Sequence, residues 1–159
     1  KGQKAIFNEY CAYMFAELDD LNMIDFSMTD TQHIVIMSKM FSGCKSLTTL
    51  DLKPFYTKNV VCMDSMFKGC EKLSDIDLSN FDTSNVKDMS RMFAYCTSLK
   101  VLHLCIQNFG YTPNVHKMFA YCTNLECIDI CSSRQMGVGN SWNLFEDCDR
   151  LEKIVCRME

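Results

Sequence analysis

The residues in this chain with chemistry to offer are eleven cysteines, three histidines and a set of regularly spaced aspartates. Cys44, Cys70, Cys96, Cys122 and Cys148 follow one another at intervals of 26 residues. Such a column has two readings. One is a ladder of redox-active or metal-binding thiols; the other is a small apolar side chain required at a recurring tight corner, a role that free cysteine fills well. Leu18 holds the same register ahead of Cys44, and leucine neither ligates nor reacts, so packing is the expected role. Cys127 and Cys131 form a C-x-x-x-C pair that would share a zinc ion if it lay on a helix. On a strand, a rise of roughly 3.3 Å per residue sets them about 13 Å apart, too far for sulfur–zinc bonds of about 2.3 Å. A tighter group arises between strands: with neighbours about 4.8 Å apart, His103, Cys105 and Cys131 can meet as a thiol pair, a disulfide or a metal site. Drift within a repeat accounts for the same residues, and neither a metal nor a cofactor is expected.

The aspartates form a row. Asp25, Asp51, Asp77 and Asp129 share one register, with His103 in its fourth place and Val155 in its sixth. Carboxylates about 5 Å apart repel one another, which points to a basic partner or a cation; an aspartate that simply solvates an exposed face is the plainer reading, and it is preferred. These positions, with Thr49, Lys53, Asp75, Ser79, Val101, Cys105, Cys127 and Cys131, make up the expected binding surface. Trp142 replaces Ser38, Asp64, Ser90 and His116 in a different register; an exposed tryptophan there marks a contact or covers the end of an array. Enzymatic activity is not expected. Only His33, His103 and His116 can act as imidazole bases, and the chain has neither a G-x-S-x-G elbow nor a phosphate-cradling glycine loop. A formal net charge of -4 excludes the basic face with which proteins release counterions from nucleic acid. No apolar run approaches the ~18 residues that span a bilayer.

What positions these residues is a strict repeat. Met-Phe recurs at Met14-Phe15, Met40-Phe41, Met66-Phe67, Met92-Phe93 and Met118-Phe119, and the sixth copy reads Leu144-Phe145. A leucine lies six residues after each Phe, from Leu21 to Leu151, and further apolar registers run through Ile76 and Leu78 and their counterparts. A period in this range implies a stacked solenoid, because one unit cannot bury its own apolar face. In Leu99-x-x-Leu102-x-Leu104 the last two leucines alternate, as on a half-buried strand. In Val86-x-x-Met89-x-x-Met92-Phe93-x-x-Cys96 the spacing of three and four predicts a helix, with Ser84 and Asn85 as caps and, in the fifth unit, Thr112-Pro113 in the same role. The fold class expected is therefore α/β: a leucine-rich-repeat solenoid of six 26-residue units, a horseshoe segment with a parallel concave sheet and short convex helices. One domain spans 1–159, with an N-terminal helical cap at 1–13, the repeats at 14–156 and a truncated end at 157–159.

Residues 73–96, LSDIDLSNFDTSNVKDMSRMFAYC, closely resemble the BspA-like class of leucine-rich repeats, found in bacterial surface proteins and mycoplasma lipoproteins. Phe55 and Phe81 match the class's Phe after the strand, whereas Gln107 and Ser133 depart from it. The resemblance implies a non-catalytic module that binds a protein or glycan ligand, on the cell surface or secreted, without inserting into a membrane. It carries no catalytic residues to transfer. The odd cysteine count argues against a secreted disulfide framework and leaves an intracellular location open, so a scaffold or ligand-sensing segment of a larger regulatory or defence protein is the alternative. The sixth strand has no polar cap behind it, and a longer parent chain is expected.

Overall fold

The computed structural model describes residues 3–106, 113–132 and 142–158, with the backbone alone at 105–106, 130–132 and 156–158. The chain winds as a solenoid whose successive coils pair side by side. Strands β1 (Ala5–Ile6) and β2 (Thr29–Asp30) form a small parallel pair, and β3 (Asp77–Leu78), β4 (Val101–Ile106), β5 (Cys127–Ser132) and β6 (Lys153–Met158) form a four-stranded parallel sheet in sequence order. The register from β3 to β6 is 26 residues at each step: Asp77 lies opposite His103, His103 opposite Asp129, and Asp129 opposite Val155. A second line of parallel bridges, also 26 apart, runs Tyr10, Ile36, Cys62, Asp88, Asn114 on the other part of the coil.

The expected helices are not there; among the described residues no helix occurs. Alternate N–H groups donate sideways to the following coil instead of back along their own chain. Met63, Ser65, Phe67 and Gly69 donate to the carbonyls of Asp88, Ser90, Met92 and Ala94 at 2.8 to 2.9 Å. The intervening Met66, Lys68 and Cys70 close turns on the carbonyls of Met63, Ser65 and Phe67. A helix would send each of these donors four residues back. Two left-handed residues per coil make this path possible, at Lys39, Ser65, Arg91 and Lys117 (φ 54 to 55) and at Gly43, Gly69, Tyr95 and Tyr121 (φ 63 to 75). A chain of three-residue turns directs every third or fourth side chain inward, which is why its apolar spacing imitates a helix. Neither Ser84 and Asn85 nor Pro113 caps a helix: Asp82 accepts the Ser84 N–H, and the Asn85 amide donates to the Lys58 carbonyl at 2.8 Å in the preceding coil. Thr112 lies outside the described residues.

The helical cap expected over the first thirteen residues is also corrected. Ala5–Ile6 pairs with Thr29–Asp30, Tyr10 bridges to Ile36, and Ile6 and Tyr10 are exposed. Phe7 turns inward and meets the edges of Phe26 and Phe55. The donors of this first coil serve the next one: the N–H groups of Cys11, Tyr13, Phe15 and Glu17 reach Ile36, Ser38, Met40 and Ser42. That demand for inter-coil bonds overrides the local helical spacing.

Phe15, Phe41, Phe67, Phe93, Phe119 and Phe145 form a continuous stack through the core, with centroids 5.4 to 5.8 Å apart and planes within 14° of parallel. Burying one such ring contributes about 1.5–3 kcal/mol, and the stacking adds to it. Phe55 and Phe81 are buried behind turns closed from Leu52 and Leu78, and those turns cut the strands short. The later strands continue for six residues to Ile106 and Ser132, in the coils whose sequence has Gln107 and Ser133 in place of that Phe; these two residues lie outside the described ones.

The turn path and a helix predict opposite signs for one substitution. Arg91 is exposed at φ 54, where the left-handed backbone costs a non-glycine residue roughly 1–2 kcal/mol, partly offset by the entropy a glycine loses on folding. Arg91→Gly is expected to be neutral or to stabilise by up to about 1 kcal/mol in urea unfolding. A loss of about 1 kcal/mol, as in an exposed helix interior, would restore the helical reading.

Candidate functional site

The aspartate row lies where the register predicts, on the exposed face of the sheet and its extension into the earlier coils. Asp25, Asp51, Asp77 and His103 are exposed, as are Thr49, Lys53, Asp75, Ser79 and Val101; Cys127 and Asp129 are half-buried. Three of the aspartates have a local task. The Oδ1 atoms of Asp25, Asp51 and Asp77 accept the N–H groups of Ser27, Lys53 and Ser79, two residues on, at 2.8, 3.0 and 3.0 Å. Each carboxylate thus shapes the local turn that follows it, which in the case of Asp77 ends β3, a use typical of Asp in turns. These bonds stabilise the ionised form: hydrogen bonds from Ser27 hold the Asp25 carboxyl below the usual range, and those from Ser79, aided by Lys53 and His103, do the same for Asp77.

His103 stands in register between Asp77 and Asp129. Its Nδ1 approaches Asp129 Oδ2 at 3.3 Å, with the imidazole side chain 57% exposed and the carboxylate 11%. Cys105 and Cys131 face each other in backbone register, but their side chains lie outside the described residues, so the expected cluster with His103 does too. Cys127 and Cys131 both lie on β5, the strand placement that separates them. Among the described residues no group of three or more His, Cys, Asp or Glu side chains can hold a metal ion. Trp142 is 77% exposed, and its carbonyl accepts the Lys117 N–H at 3.2 Å. Its neighbours in register, Ser38, Asp64, Ser90 and His116, are partly or fully covered.

The cysteine column packs, as expected, and also makes a bond that the sequence did not announce. The thiols of Cys44, Cys70, Cys96, Cys122 and Cys148 donate to the carbonyls of Phe15, Phe41, Phe67, Phe93 and Phe119 in the preceding coil, at 2.9 to 3.2 Å. Burial pushes the Cys96 and Cys70 thiols far up and the Cys122 thiol up to about 12. Burial and the bond to the Phe carbonyl thus favour the protonated thiol at these positions, the opposite of what a nucleophile or metal ligand requires. A threonine column was missed altogether. Thr31 and Thr57 are 2% exposed, and their hydroxyls accept the N–H groups of Tyr56 and Asp82 at 2.9 and 2.8 Å. Their 26-residue spacing was the available signal.

The family model described as Mycoplasma protein of unknown function, DUF285, matches residues 9–130. The chain belongs to that family. The match takes in the aspartate row from Asp25 to Asp129, the thiol column from Cys44 to Cys122 and the line of bridges from Tyr10 to Asn114, so these are features of a DUF285 segment. The fold is similar to the crystal structure of a T. pallidum leucine-rich-repeat protein (TpLRR), with a TM-score of 0.56 and 16% identity over 95% of this chain. The DUF285 chain spans 62% of that protein's length. No curated protein matches it. The likeness and the parallel pairing establish a leucine-rich-repeat-like solenoid. Among the described residues no helix is long and apolar enough to cross a membrane.

Two measurements check this chemistry. Iodoacetamide at pH 8 is expected to leave Cys70, Cys96 and Cys122 unmodified in the native protein and to label them in denaturant; native labelling would show thiols open to solvent. Asp77 has a lowered folded pKa, so its contribution is present above the unfolded value and lost as pH falls through the folded one. Below about pH 4, the ordinary aspartate value, the wild type is expected to lose stability more steeply than Asp77→Asn, which keeps the Oδ1 acceptor without the charge. Parallel acid limbs would remove Asp77 from the acid response.

Proposed function

We propose that the chain is a non-catalytic recognition module that binds a protein partner across the exposed face of its parallel sheet. The observation that carries this reading is the row itself. Asp77 and His103 project from the paired strands β3 and β4, and Asp51 from a coil tied to the next by the Asn80 amide on the Leu52 and Lys53 carbonyls, with Lys53, Ser79 and Val101 beside them; recognition needs such exposed side chains on a rigid frame. The carboxylates already satisfy their turns with one oxygen, which leaves charge to present to a basic surface. Six 26-residue coils in one domain over 1–159, curved as a horseshoe, would extend this face across the whole array. The resemblance to BspA-like surface repeats supports an adhesive role on the cell surface, with a glycan as the other ligand class. Trp142 is a second contact outside the row.

The alternative, a scaffold segment of a larger intracellular sensor, drew support from the cysteine content. That support weakens once five of the thiols are placed in the core, where their number says nothing of the compartment.

The experiment is capture of host-cell surface proteins on the full chain, set beside the double variant Asp51→Asn, Asp77→Asn. Asparagine keeps the turn acceptor and removes the charge, so fold and recognition are separated. A partner held by the wild type and weakened by roughly ten-fold (about 1.4 kcal/mol) in the variant, with stronger loss at high salt, is the expected outcome. An affinity unchanged in the variant would move recognition off the row.

A further inference from the structure

A different register carries Glu17, Gly43, Gly69, Tyr95, Tyr121 and Asp147, and every one of these residues has a left-handed backbone, φ 55 to 75. Glycine meets that demand without penalty at 43 and 69. Tyrosine does not: an aromatic residue there costs roughly 1–2 kcal/mol, which ring stacking helps to offset. The two tyrosines stack face to face, with centroids 4.5 Å apart and planes 6° from parallel. Tyr121 is further fixed by Glu146, which accepts its hydroxyl at 3.0 Å and pairs with Lys117 at 2.8 Å. One face of Tyr95 is therefore covered by a fixed ring. The other looks along the stack to the next rung, where Gly69 has no side chain.

Between Tyr95 and Glu17 lies a cleft of about 280 Å³ with the two glycines as its floor. A methyl group on Gly43 would lie 2.5 Å from the Glu17 carboxylate, which folds over that rung, whereas one on Gly69 would meet nothing nearer than the Gly43 backbone at 3.8 Å. The end walls are thus an aromatic face and a carboxylate, about two rungs or ~10 Å apart at the ordinary strand spacing. Lys45 and Glu71 line the sides, and the Lys68 ammonium lies over the Tyr95 ring, 5.9 Å from its centre, so a ligand stacked there would move it aside. Lys45 is engaged by Asp19 at 3.0 Å, which leaves Lys68, Glu17 and Glu71 as the charged groups that a ligand on this face would meet.

We propose that this cleft is a subsite for a neutral pyranose ring, which would stack its C–H face on Tyr95 over Gly69. Its hydroxyls would donate to Glu17 and Glu71 and accept from Lys68. A hydroxyl both donates and accepts, so a sugar satisfies every group in the cleft. A guanidinium would stack equally well but meets the Lys68 ammonium, which already lies over the same ring, and an anion meets Glu17 and Glu71. An apolar aromatic side chain of a peptide would take the Tyr95 face and strip water from the charged groups without replacing it, which is unfavourable. The site lies outside the aspartate row and stands or falls independently of recognition there.

The test is a titration of the full chain with methyl glucoside, methyl galactoside, methyl mannoside and N-acetylglucosamine, read from the backbone amide NMR signals of Gly43 and Gly69. Tyr95→Gly removes the ring and accepts the same φ without strain, so it retains the fold; Tyr56→Ser removes an exposed tyrosine elsewhere as a control. The expected result is a saturable shift at both glycines with at least one of these sugars, weakened roughly ten-fold or more by Tyr95→Gly and unchanged by Tyr56→Ser. Absence of a shift with all four, or equal affinity in Tyr95→Gly, overturns the proposal. Tighter binding of arginine amide or phenylalanine amide at the same signals also overturns it, in favour of a peptide.

Discussion

Every feature of this solenoid depends on where alternate backbone N–H groups go. In the Met-Phe segment they leave their own coil and bond to the next, while the intervening ones close turns. A buried N–H without an acceptor costs as much as a lost hydrogen bond, so the lateral ladder obliges each coil to have a neighbour in strict 26-residue register. It also fixes which residues must be left-handed. Two positions per coil bend the chain so that alternate donors aim sideways, and glycine, lysine, serine, arginine and tyrosine all accept that geometry at 39–43, 65–69 and 91–95. A helix would have satisfied the same donors internally and left the coils joined by the sheet alone.

Side chains then repeat what the backbone does. Because each coil is translated onto the next, identical residues meet: phenylalanine on phenylalanine through the core, thiol to the neighbouring carbonyl, threonine hydroxyl to the N–H of the following coil. Repetition multiplies a favourable contact: the ring stack and the thiol bond each recur at five successive steps. Cysteine suits its column because it is small enough for the corner and still donates to the Phe carbonyl; Leu18, which is 46% exposed, fills the register in the first coil.

The period, the inward registers and the exposed aspartate row were legible in the sequence because translation by 26 residues maps each position onto the same environment. The turn path was not. Its apolar spacing of three and four matches a helix, and the signal that separates them, a pair of left-handed residues four apart in each coil, is borne by glycine only at Gly43 and Gly69. At Lys39, Arg91, Tyr95 and Lys117 the residue type gives no warning, since the cost of roughly 1–2 kcal/mol is met by the inter-coil bonds and by stacking. The Asx turns were hidden for a different reason. An aspartate between two strand leucines reads as an exposed charge, and only the backbone shows that Ser27, Lys53 and Ser79 each need an acceptor at that spot.

The same distinction decides what the aspartate row can offer a partner. A residue conscripted to end a strand is held in one rotamer by its N–H bond, so its second oxygen is presented at a fixed height and spacing. Fixed charges lose little freedom on binding, and preorganisation of that kind lowers the entropic cost of association. The repulsion between neighbouring carboxylates is moderated by the local N–H donors and, at Asp77, by Lys53 and His103. A structural origin for the aspartates and a recognition role for the row are therefore compatible: the turn holds the carboxylate in place, and the place makes it useful. Where the register breaks, at His103, the row gains an imidazole set against Asp129 at 3.3 Å. A basic partner that crosses this row would meet fixed negative charge at Asp51 and Asp77 and, one rung further on, a ring in place of a carboxylate, so the break in the register sets where along the row such a partner must stop.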